Sequence, residues 1–225
     1  MKIAIDAMGG DFAPHKIVEG AVLGAREQGV HVILVGKEPE IRAELAKHDT
    51  RNLSITVQHA SETIGMEESP SKASRSKQDS SIVVATRMVA EGTADAIVSA
   101  GNSGAVMTCA LRYLGRLPGI YRPAIATLIP TQRGLCIMAD VGANADCKPE
   151  YLLQFAVMAK HCAESILEMK NPRIGLLSIG EEKEKGNHLT KHTAPLLEAC
   201  KSLNFIGNVE GRDIYNGRCD VVVTD

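Results

Sequence analysis

Small polar residues and glycines follow several aliphatic runs of the sequence, at the points where those runs end. They occupy residues 6–11, 99–104, 140–144 and 180–187. Open parallel sheets bind their ligands at the carboxyl ends of the strands, so we expect these turns to meet at one edge of one sheet. Glycines there let the backbone come close to a ligand, and outward N–H groups attract anions. The pattern predicts a small-anion site, although each turn taken alone is also explained as a tight turn.

The loop at residues 180–187 is the only one of these turns that is rich in charge. A lysine at a strand end neutralises phosphate or stabilises a developing oxyanion, which makes Lys185 a candidate for either role. Lys183 lies in the same loop, and spacing does not choose between the two lysines. By composition alone, a solvated run of alternating charges is the simpler interpretation.

A small basic group, Lys72, Arg75 and Lys77, precedes Ser80 and Ser81. Such a group attracts an acidic protein partner or a phosphate. A hydrated surface without a partner is the commoner role of a group of this kind, so both interpretations stay open.

Aliphatic runs of strand length alternate with helical patterns, and most of the runs are continuously apolar, as in strands buried on both faces. The runs are KIAIDA, VHVILVG, LSITVQHA, DAIVSAG, AIATLIP, LCIMADVG, RIGLLSIG, NFIGNVE and CDVVVTD. The helical patterns cover residues 14–28, 38–48, 80–91, 149–169 and 188–202. This alternation predicts an α/β fold with a largely parallel sheet.

Two polar stretches interrupt the pattern. Residues 60–81 predict an exposed loop or a short irregular helix, and residues 112–123 predict a connecting loop. The length of 225 residues fits a single α/β domain over 1–225. Because the last strand pattern coincides with the last residue, we expect this domain to be incomplete at its C-terminus.

Composition excludes several classes of function. The formal net charge of −2 gives no general affinity for nucleic acid, and 3% aromatic residues without Trp argue against stacking platforms. No apolar run reaches the roughly 20 residues of a spanning helix, and Asp6 interrupts any signal peptide. The six cysteines form no C-x-x-C pair, so we expect reduced thiols in the cytoplasm.

Common catalytic and cofactor motifs are absent. The chain has no G-x-G, no P-loop, no H-E-x-x-H and no G-x-S-x-G. His188 and His192 have metal-ligand spacing but no evident acidic third ligand, so exposed helix histidines are the simpler interpretation. Cys147 lacks an identifiable His partner, which favours a structural thiol over a nucleophile.

Five segments in order resemble one family closely: IAIDAMGGDFAP, SAGNSGAVMT, ADVGANADCKPE, GLLSIGEEKEKGN and NFIGNVEGRDIYNGRCDVVVTD. The family is the bacterial phosphate acyltransferase of phospholipid synthesis, the acyl-acyl-carrier-protein:phosphate acyltransferase, and the resemblance runs over residues 1–225. It implies a Rossmann-like three-layer sandwich with a largely parallel sheet. That fold is similar to the fold of phosphotransacetylases and of isocitrate/isopropylmalate dehydrogenases.

The resemblance also implies a reaction and partners. Inorganic phosphate attacks the thioester of a long-chain acyl-acyl-carrier protein and gives acyl phosphate and free carrier protein. The acyl phosphate then feeds a glycerol-3-phosphate acyltransferase. The family implies a homodimer without organic cofactor or metal, cytoplasmic and peripherally associated with the membrane.

Site residues follow from the resemblance position by position. The lysine of the family's K-G-N falls on Lys185, not on Lys183, and implies a catalytic, electrostatic role. Arg75 and Lys77 match a basic-Ser-Ser stretch and imply docking of the carrier protein, although this stretch is less basic than in many members. The residues that match the substrate- and phosphate-binding turns are Asp6, Gly9, Gly10, Asp11, Ser99, Gly101, Asn102, Ser103, Gly104, Asp140, Gly142, Asn144 and Asn187.

The family pattern continues beyond the last strand with a G-F-x-G-N loop that contributes an active-site asparagine, and this chain does not include it. Two alternatives to the long-chain acyltransferase therefore remain. One is a phosphotransacetylase that acts on a short-chain acyl-CoA. The other is an inactive fragment that only binds the carrier protein.

Overall fold

The computed structural model describes all residues from 1 to 225. The chain forms two compact units, Met1–Gly115 and Arg116–Asp225, and each contains its own sheet. The predicted α/β class with mainly parallel strands is confirmed. The four strand-end turns do not share one sheet edge as expected, because the strands that carry them are divided between two sheets. A single domain over 1–225 stays a prediction.

The sheet of the first unit has the order β3-β2-β1-β4, and every pair in it is parallel. Its strands are β1 (Lys2–Asp6), β2 (His31–Gly36), β3 (Ile55–His59) and β4 (Ala96–Val98). In the register, Ile5 pairs with both Leu34 and Val98. Because β1 and β4 are parallel neighbours, the turns that follow them emerge at the same edge.

Helices cover both faces of this sheet. They are α1 (His15–Gln28), α2 (Glu38–Leu45), α3 (Pro70–Ser76), α4 (Ser81–Ala90) and α5 (Ser103–Cys109), and a π-helical turn, Ala110–Leu114, continues α5. Successive residues of β2 point to opposite faces, so Leu34 packs with Val18 of α1, whereas Ile33 packs with Ala85 of α4. This burial on both faces explains the continuous apolar run of β2.

The sheet of the second unit has the order β5-β6-β9-β7-β8. Its strands are β5 (Ala126–Thr131), β6 (Gly134–Ala139), β7 (Arg173–Leu177), β8 (Asn204–Val209) and β9 (Val221–Val223). Only the β5–β6 pair is antiparallel. Because β6 and β7 flank β9 in parallel, the turns after these strands also emerge at one edge.

The helices of the second unit are α6 (Pro149–Ile166), α7 (His188–Ala199) and α8 (Gly211–Asn216). In β9, Val221 and Val223 face the core that contains Phe155 of α6, whereas Val222 faces Ile214 of α8. All three valines of β9 are fully buried. None of the helices in the structure combines the length and the hydropathy of a bilayer-spanning segment.

The nine strands coincide with the aliphatic runs, and the five predicted helices form with ends within a few residues. The predicted loop at 112–123 is wrong at its start, where the π-helical turn continues α5. Residues 60–81 contain the short helix α3, one of the two expected forms. The short helices α5 and α8 lack a readable periodicity, and capping stabilises them. Asn102 accepts from the Ala105 N–H, and Glu210 and Asp213 form a capping box.

An apolar groove of about 500 Å³ opens beside α1 at the free edge of the first sheet. Ile3, Ile5 and Val98 line it from the sheet. Gly20 and Gly24 line it from α1, and no atom lies within 4 Å of where their side chains would begin. Since β4 has a partner strand on one side only, this apolar surface lies beside an open strand edge.

An ion pair ties the start of β7 to the turn before β9. The Arg173 guanidinium donates to both carboxylate oxygens of Asp220, at 2.8 and 2.9 Å, and the Arg173 backbone N–H donates to the same carboxylate at 2.8 Å. Burial alone would raise the pKa of Asp220, but the hydrogen bonds and charge of Arg173 outweigh it and hold that pKa below its ordinary value.

Replacing Asp220 by alanine is expected to lower the free energy of unfolding at pH 7 by about 2 kcal/mol, since the pair is charge-assisted but partly exposed. The pKa of Asp220 is lowered in the folded protein, so its contribution is present above the unfolded pKa of about 4 and is lost as the pH falls through the folded pKa. Urea unfolding at pH 7 and pH 3 measures the difference, which should shrink at pH 3.

Asp49→Ala is the matched control, because Asp49 also makes a two-pronged pair with Arg51 but on the open surface. It should cost little at either pH. A cost of Asp220→Ala that is equal at both pH values contradicts the role of the ionised carboxylate.

Candidate active site

The turns after β1 and β4 are joined by a buried carboxylate. Asp6 is 3% exposed, and the Ser99 hydroxyl donates to its Oδ2 at 2.7 Å. The Gly101 N–H donates to the Ser99 hydroxyl at 3.1 Å, and the Met8 N–H donates to the other Asp6 oxygen at 3.3 Å. Asp6 and Ser99 therefore hold the two turns together, and their place in a substrate site stays a prediction.

Glycines allow these two turns to approach. A side chain on Gly101 would begin 3.1 Å from the Cα of Gly9 and 3.2 Å from the Ser99 hydroxyl. On Gly9 it would meet the Asp6 carboxylate. Gly10 adopts φ +102°, a conformation that side-chain-bearing residues rarely adopt. The fold of the first unit therefore requires glycine at these predicted site positions, whether or not a ligand binds there.

Asn102 makes contacts within the protein on both sides of its amide group. Its oxygen accepts from the Ala105 N–H at 3.1 Å and begins α5. Its nitrogen donates to the carbonyls of Met66 and Glu68, each at 3.1 Å. Gly104 packs closely on Pro70, the first residue of α3. Asn102 and Gly104 therefore fix α3 and the preceding loop against α5, while Ser103 and Asp11 are exposed.

A second buried carboxylate organises the turn after β6. Asp140 is 1% exposed and accepts from the backbone N–H groups of Ile125 and Asn144, both at 2.7 Å. The Asn144 side chain donates to Asp140 at 3.0 Å and to the Pro123 carbonyl at 2.9 Å. Gly142, between them, has φ +75°. These predicted residues do come together, with their side chains engaged within the protein.

The loop after β7 distinguishes the two lysines that spacing could not. Lys183 pairs with Glu198 of α7 at 2.7 Å. Lys185 is exposed and makes no ion pair in the structure, and its stem lies beside Gly180, where a side chain would begin 3.0 Å from the Lys185 Cγ. Lys185 is therefore the available cation of this loop.

The start of α7 adjoins this loop. Asn187 is its N-terminal cap, and its side-chain oxygen accepts from the Thr190 N–H at 2.9 Å. Gly186 adopts φ +106°, where a side chain would also meet Thr190 and Ser178. The turn 185–187 thus places Lys185 directly before a capped helix start, whose partial positive charge adds to that of the lysine.

Asn208 of β8 is a residue that the sequence analysis missed. It is 6% exposed, and its side-chain nitrogen donates to the Glu182 carbonyl at 3.1 Å. The Lys185 N–H donates to that same carbonyl at 3.0 Å. Asn208 therefore anchors the loop that bears Lys185, and its own side-chain oxygen has no partner. The available sequence signal was a polar amide inside the otherwise apolar end of the strand run NFIGNV, since a buried amide needs a hydrogen-bond partner.

The predicted docking residues differ in availability. The Lys77 ammonium donates to Glu68 at 2.6 Å and to the Thr63 carbonyl at 2.8 Å. Arg75 is exposed and makes no ion pair. Ser80 and Ser81 are buried. Of the two predicted docking residues, only Arg75 therefore presents an unpaired charge to solvent, and the neighbouring Lys72 is also exposed.

Cys147 has the environment of a structural thiol. Burial raises its pKa to about 11, and the carboxylates of Asp225 and Asp140 act in the same direction. A thiol with this pKa is protonated at neutral pH, and the thiolate is the nucleophilic form. The structure therefore offers no activated nucleophile at this position.

The fold is shared with phosphotransacetylases. The EutD phosphotransacetylase of Staphylococcus aureus matches 99% of this chain and 77% of its own, with a TM-score of 0.68 and 17% identity. A phosphotransacetylase of Streptococcus pyogenes matches 99% and 76%, with a TM-score of 0.69 and 19% identity. At 17% and 19% identity, this similarity places the protein in a fold class and shows the fold alone.

The chain belongs to the family described as "Fatty acid synthesis protein", whose profile matches residues 1–225. It is 56% identical to the phosphate acyltransferase of Geobacter sp. strain M21 over the whole chain and 64% of that relative. The phosphate acyltransferases of Geotalea daltonii and Endomicrobium trichonymphae are each 53% identical, over 65% and 68% of their lengths. The predicted family is confirmed. The chain spans about two thirds of the length of the curated relatives it matches.

Replacing Asn208 by leucine should loosen the Lys185 loop, because it removes the donor to the Glu182 carbonyl while keeping similar volume. We expect the Lys185 amide hydrogen to exchange about fivefold faster, the effect of losing roughly 1 kcal/mol of hydrogen bonding. Hydrogen exchange read by NMR measures this. Asn204→Leu, in the same strand but bonded to the Asn171 carbonyl, is the control and should leave Lys185 unchanged.

Alkylation of Cys147 by iodoacetamide is expected to be slow in the folded protein at pH 8. With a folded pKa of about 11, its thiolate fraction at pH 8 is roughly 200-fold smaller than that of an unfolded thiol with a pKa near 8.5. Peptide mapping of folded and urea-unfolded protein gives the two rates. Equal rates at pH 8 would contradict the raised pKa of Cys147, and a faster rate in the folded protein would show an activated thiol.

Proposed function

We propose that the full-length protein is a phosphate acyltransferase that converts long-chain acyl-acyl-carrier protein and inorganic phosphate into acyl phosphate and free carrier protein. Membership of the family supports acyl transfer to phosphate. The observation that carries the proposal is Lys185, an exposed cation without an ion pair that directly precedes the capped start of α7. An oxyanion or phosphate bound there gains both charge and helix-dipole stabilisation.

The proposed reaction needs no protein nucleophile. An oxygen of hydrogen phosphate attacks the thioester carbonyl, a C–O bond forms, and the C–S bond breaks. The sulfur leaves with the electron pair of that bond and takes up the proton that the phosphate oxygen loses. The protein orients the two reactants and stabilises the negative charge that develops on the carbonyl oxygen. The high pKa of Cys147 is consistent with this scheme.

We assign Lys185 the catalytic role, and we assign the predicted residues with engaged side chains the role of shaping the turns of their own unit. The side chains of Asp6, Asn102, Asp140, Asn144 and Asn187 are engaged in hydrogen bonds within the protein. Their proposed role is therefore to shape turns whose backbone N–H groups receive the phosphate. The glycines keep those turns open to the ligand. Asp11 and Ser103, which are exposed, are proposed to contact the substrate directly.

A phosphotransacetylase that uses a short-chain acyl-CoA is the second candidate. The fold of the Staphylococcus aureus and Streptococcus pyogenes enzymes supports it. Identities of 53–56% to phosphate acyltransferases, against 17–19% to phosphotransacetylases, favour the first candidate. The proposal further includes a homodimer, peripheral membrane association and delivery of the acyl phosphate to a glycerol-3-phosphate acyltransferase, all as the family resemblance implies.

The test is turnover of palmitoyl-carrier protein with inorganic phosphate by the full-length protein, with the acyl phosphate trapped by hydroxylamine. Lys185→Ala is expected to lower kcat by at least about 100-fold, the usual effect of losing a group that stabilises the oxyanion. Lys183→Ala is the control in the same loop and should keep activity, because Lys183 pairs with Glu198.

Acetyl-CoA in place of the carrier-protein donor separates the two candidates. Turnover with acetyl-CoA alone supports the phosphotransacetylase. If neither donor is turned over in the presence of phosphate, the proposed function is contradicted. If Lys185→Ala keeps full activity, the catalytic role of Lys185 is contradicted.

A further inference from the structure

A second concave surface lies in the first unit, beyond the strand-end turns. It is a groove of about 560 Å³ between α3 and the segment that runs from α5 into the π-helical turn. Its lining residues are Ser74, Arg75, Thr108, Leu111 and Arg112. Asn102 and the tight packing of Gly104 on Pro70 hold the two walls of this groove together.

Two arginines flank this groove, and neither has a carboxylate partner. Arg75 projects from α3, and Arg112 projects from the π-helical turn, where its guanidinium lies 5.4 Å from the centre of the Tyr113 ring. Both are exposed. The neighbouring Lys77, in contrast, is engaged by Glu68. The groove is therefore flanked by positive charge that the protein itself does not neutralise.

The two walls of the groove carry no carboxylate. Residues 96–115 and α3 contain no Asp or Glu. The whole chain carries a formal net charge of −2, so the positive potential is local to this region. An acidic partner is attracted to such a region, and its wrong docking elsewhere is disfavoured.

The groove between the arginines is not purely polar. Ser74 is buried and Leu111 is half-buried, and Leu114 at the end of the π-helical turn is 46% exposed. A partner that combines carboxylates with apolar side chains matches this surface, as at ordinary protein interfaces with an apolar centre and a charged rim. A polybasic membrane site has clusters of 4–8 Lys or Arg, two to four times the number of arginines that line this groove.

We propose that this groove docks the acyl-carrier protein through an acidic surface of that protein, with Arg75 and Arg112 as the contact residues. The inference rests on the proposed function, which supplies the carrier protein as donor. Leu111 lies seven residues after Gly104, about 10 Å along a helix. A carrier protein docked there has the strand-end turn of Ser99 and Gly101 close by, within reach of a thioester on a flexible arm.

The experiment compares charge-reversal variants of the full-length protein, Arg75→Glu and Arg112→Glu. The first measurement is binding of carrier protein without an acyl group, by fluorescence anisotropy. The second is KM for palmitoyl-carrier protein and for palmitoyl-pantetheine, which lacks the protein. We expect each variant to weaken binding and raise KM for the carrier-protein donor by about tenfold, with KM for palmitoyl-pantetheine unchanged.

Arg87→Glu is the matched control, an exposed arginine on α4 whose nearest carboxylate, Glu91, lies 3.8 Å away. It should bind carrier protein as the unchanged protein does. Normal carrier-protein binding by Arg75→Glu and Arg112→Glu, or no binding by the unchanged protein, overturns the docking surface. Loss of binding to phosphatidylglycerol vesicles alone, with carrier-protein binding intact, assigns the groove to a membrane and also overturns it.

The two proposals fail in different ways. Binding of carrier protein that depends on the two arginines, without phosphate-dependent turnover, supports the docking surface and contradicts the proposed reaction. If Arg75→Glu and Arg112→Glu turn over palmitoyl-carrier protein and palmitoyl-pantetheine as the unchanged protein does, the reaction is supported and the docking surface is contradicted.

Discussion

Buried carboxylates at strand ends are the constraint on which both units depend. Asp6 and Asp140 each follow an apolar strand and are at most 3% exposed. A buried carboxyl group is costly unless hydrogen bonds satisfy it, so neighbouring turns must present donors to it. In the first unit the donors come from Ser99 and Met8, and in the second from Ile125 and Asn144. The same device thus shapes a turn in each sheet, and the glycines of those turns follow from it.

The availability of each cation is decided by its neighbours. Lys183 and Lys185 lie two residues apart, yet Glu198 engages only the first. Arg75 and Lys77 show the same division, since Glu68 engages only Lys77. Composition treats the members of each pair alike, whereas the fold leaves one cation of each pair open to an anion. Lys185 and Arg75 are candidates for function because the fold places no carboxylate within ion-pair distance of them.

The sequence was most informative where burial dominates. Strands such as β2 and β9 are buried on both faces, so their continuous apolar runs were readable without any tertiary information. The short helices α5 and α8 were not readable, because their caps rather than their periodicity stabilise them. Asn208 was missed for a related reason: its role depends on the Glu182 carbonyl, which is distant in sequence. The family's K-G-N motif pointed to Lys185, and only the ion pair of Lys183 gave that choice a physical reason.

The free edge of β4 has a consequence for the behaviour of residues 1–225 in isolation. Its outer N–H and C=O groups have no strand partner, and the apolar groove of Ile3, Ile5 and Val98 lies beside them. Such an edge is a template for strand addition by another chain. Because β4 has only three residues, it offers few backbone groups for strand addition, and the apolar groove beside it is the larger exposed feature of this edge. A charged residue in place of Val98, which is 51% exposed, is the simplest way to improve handling at high concentration.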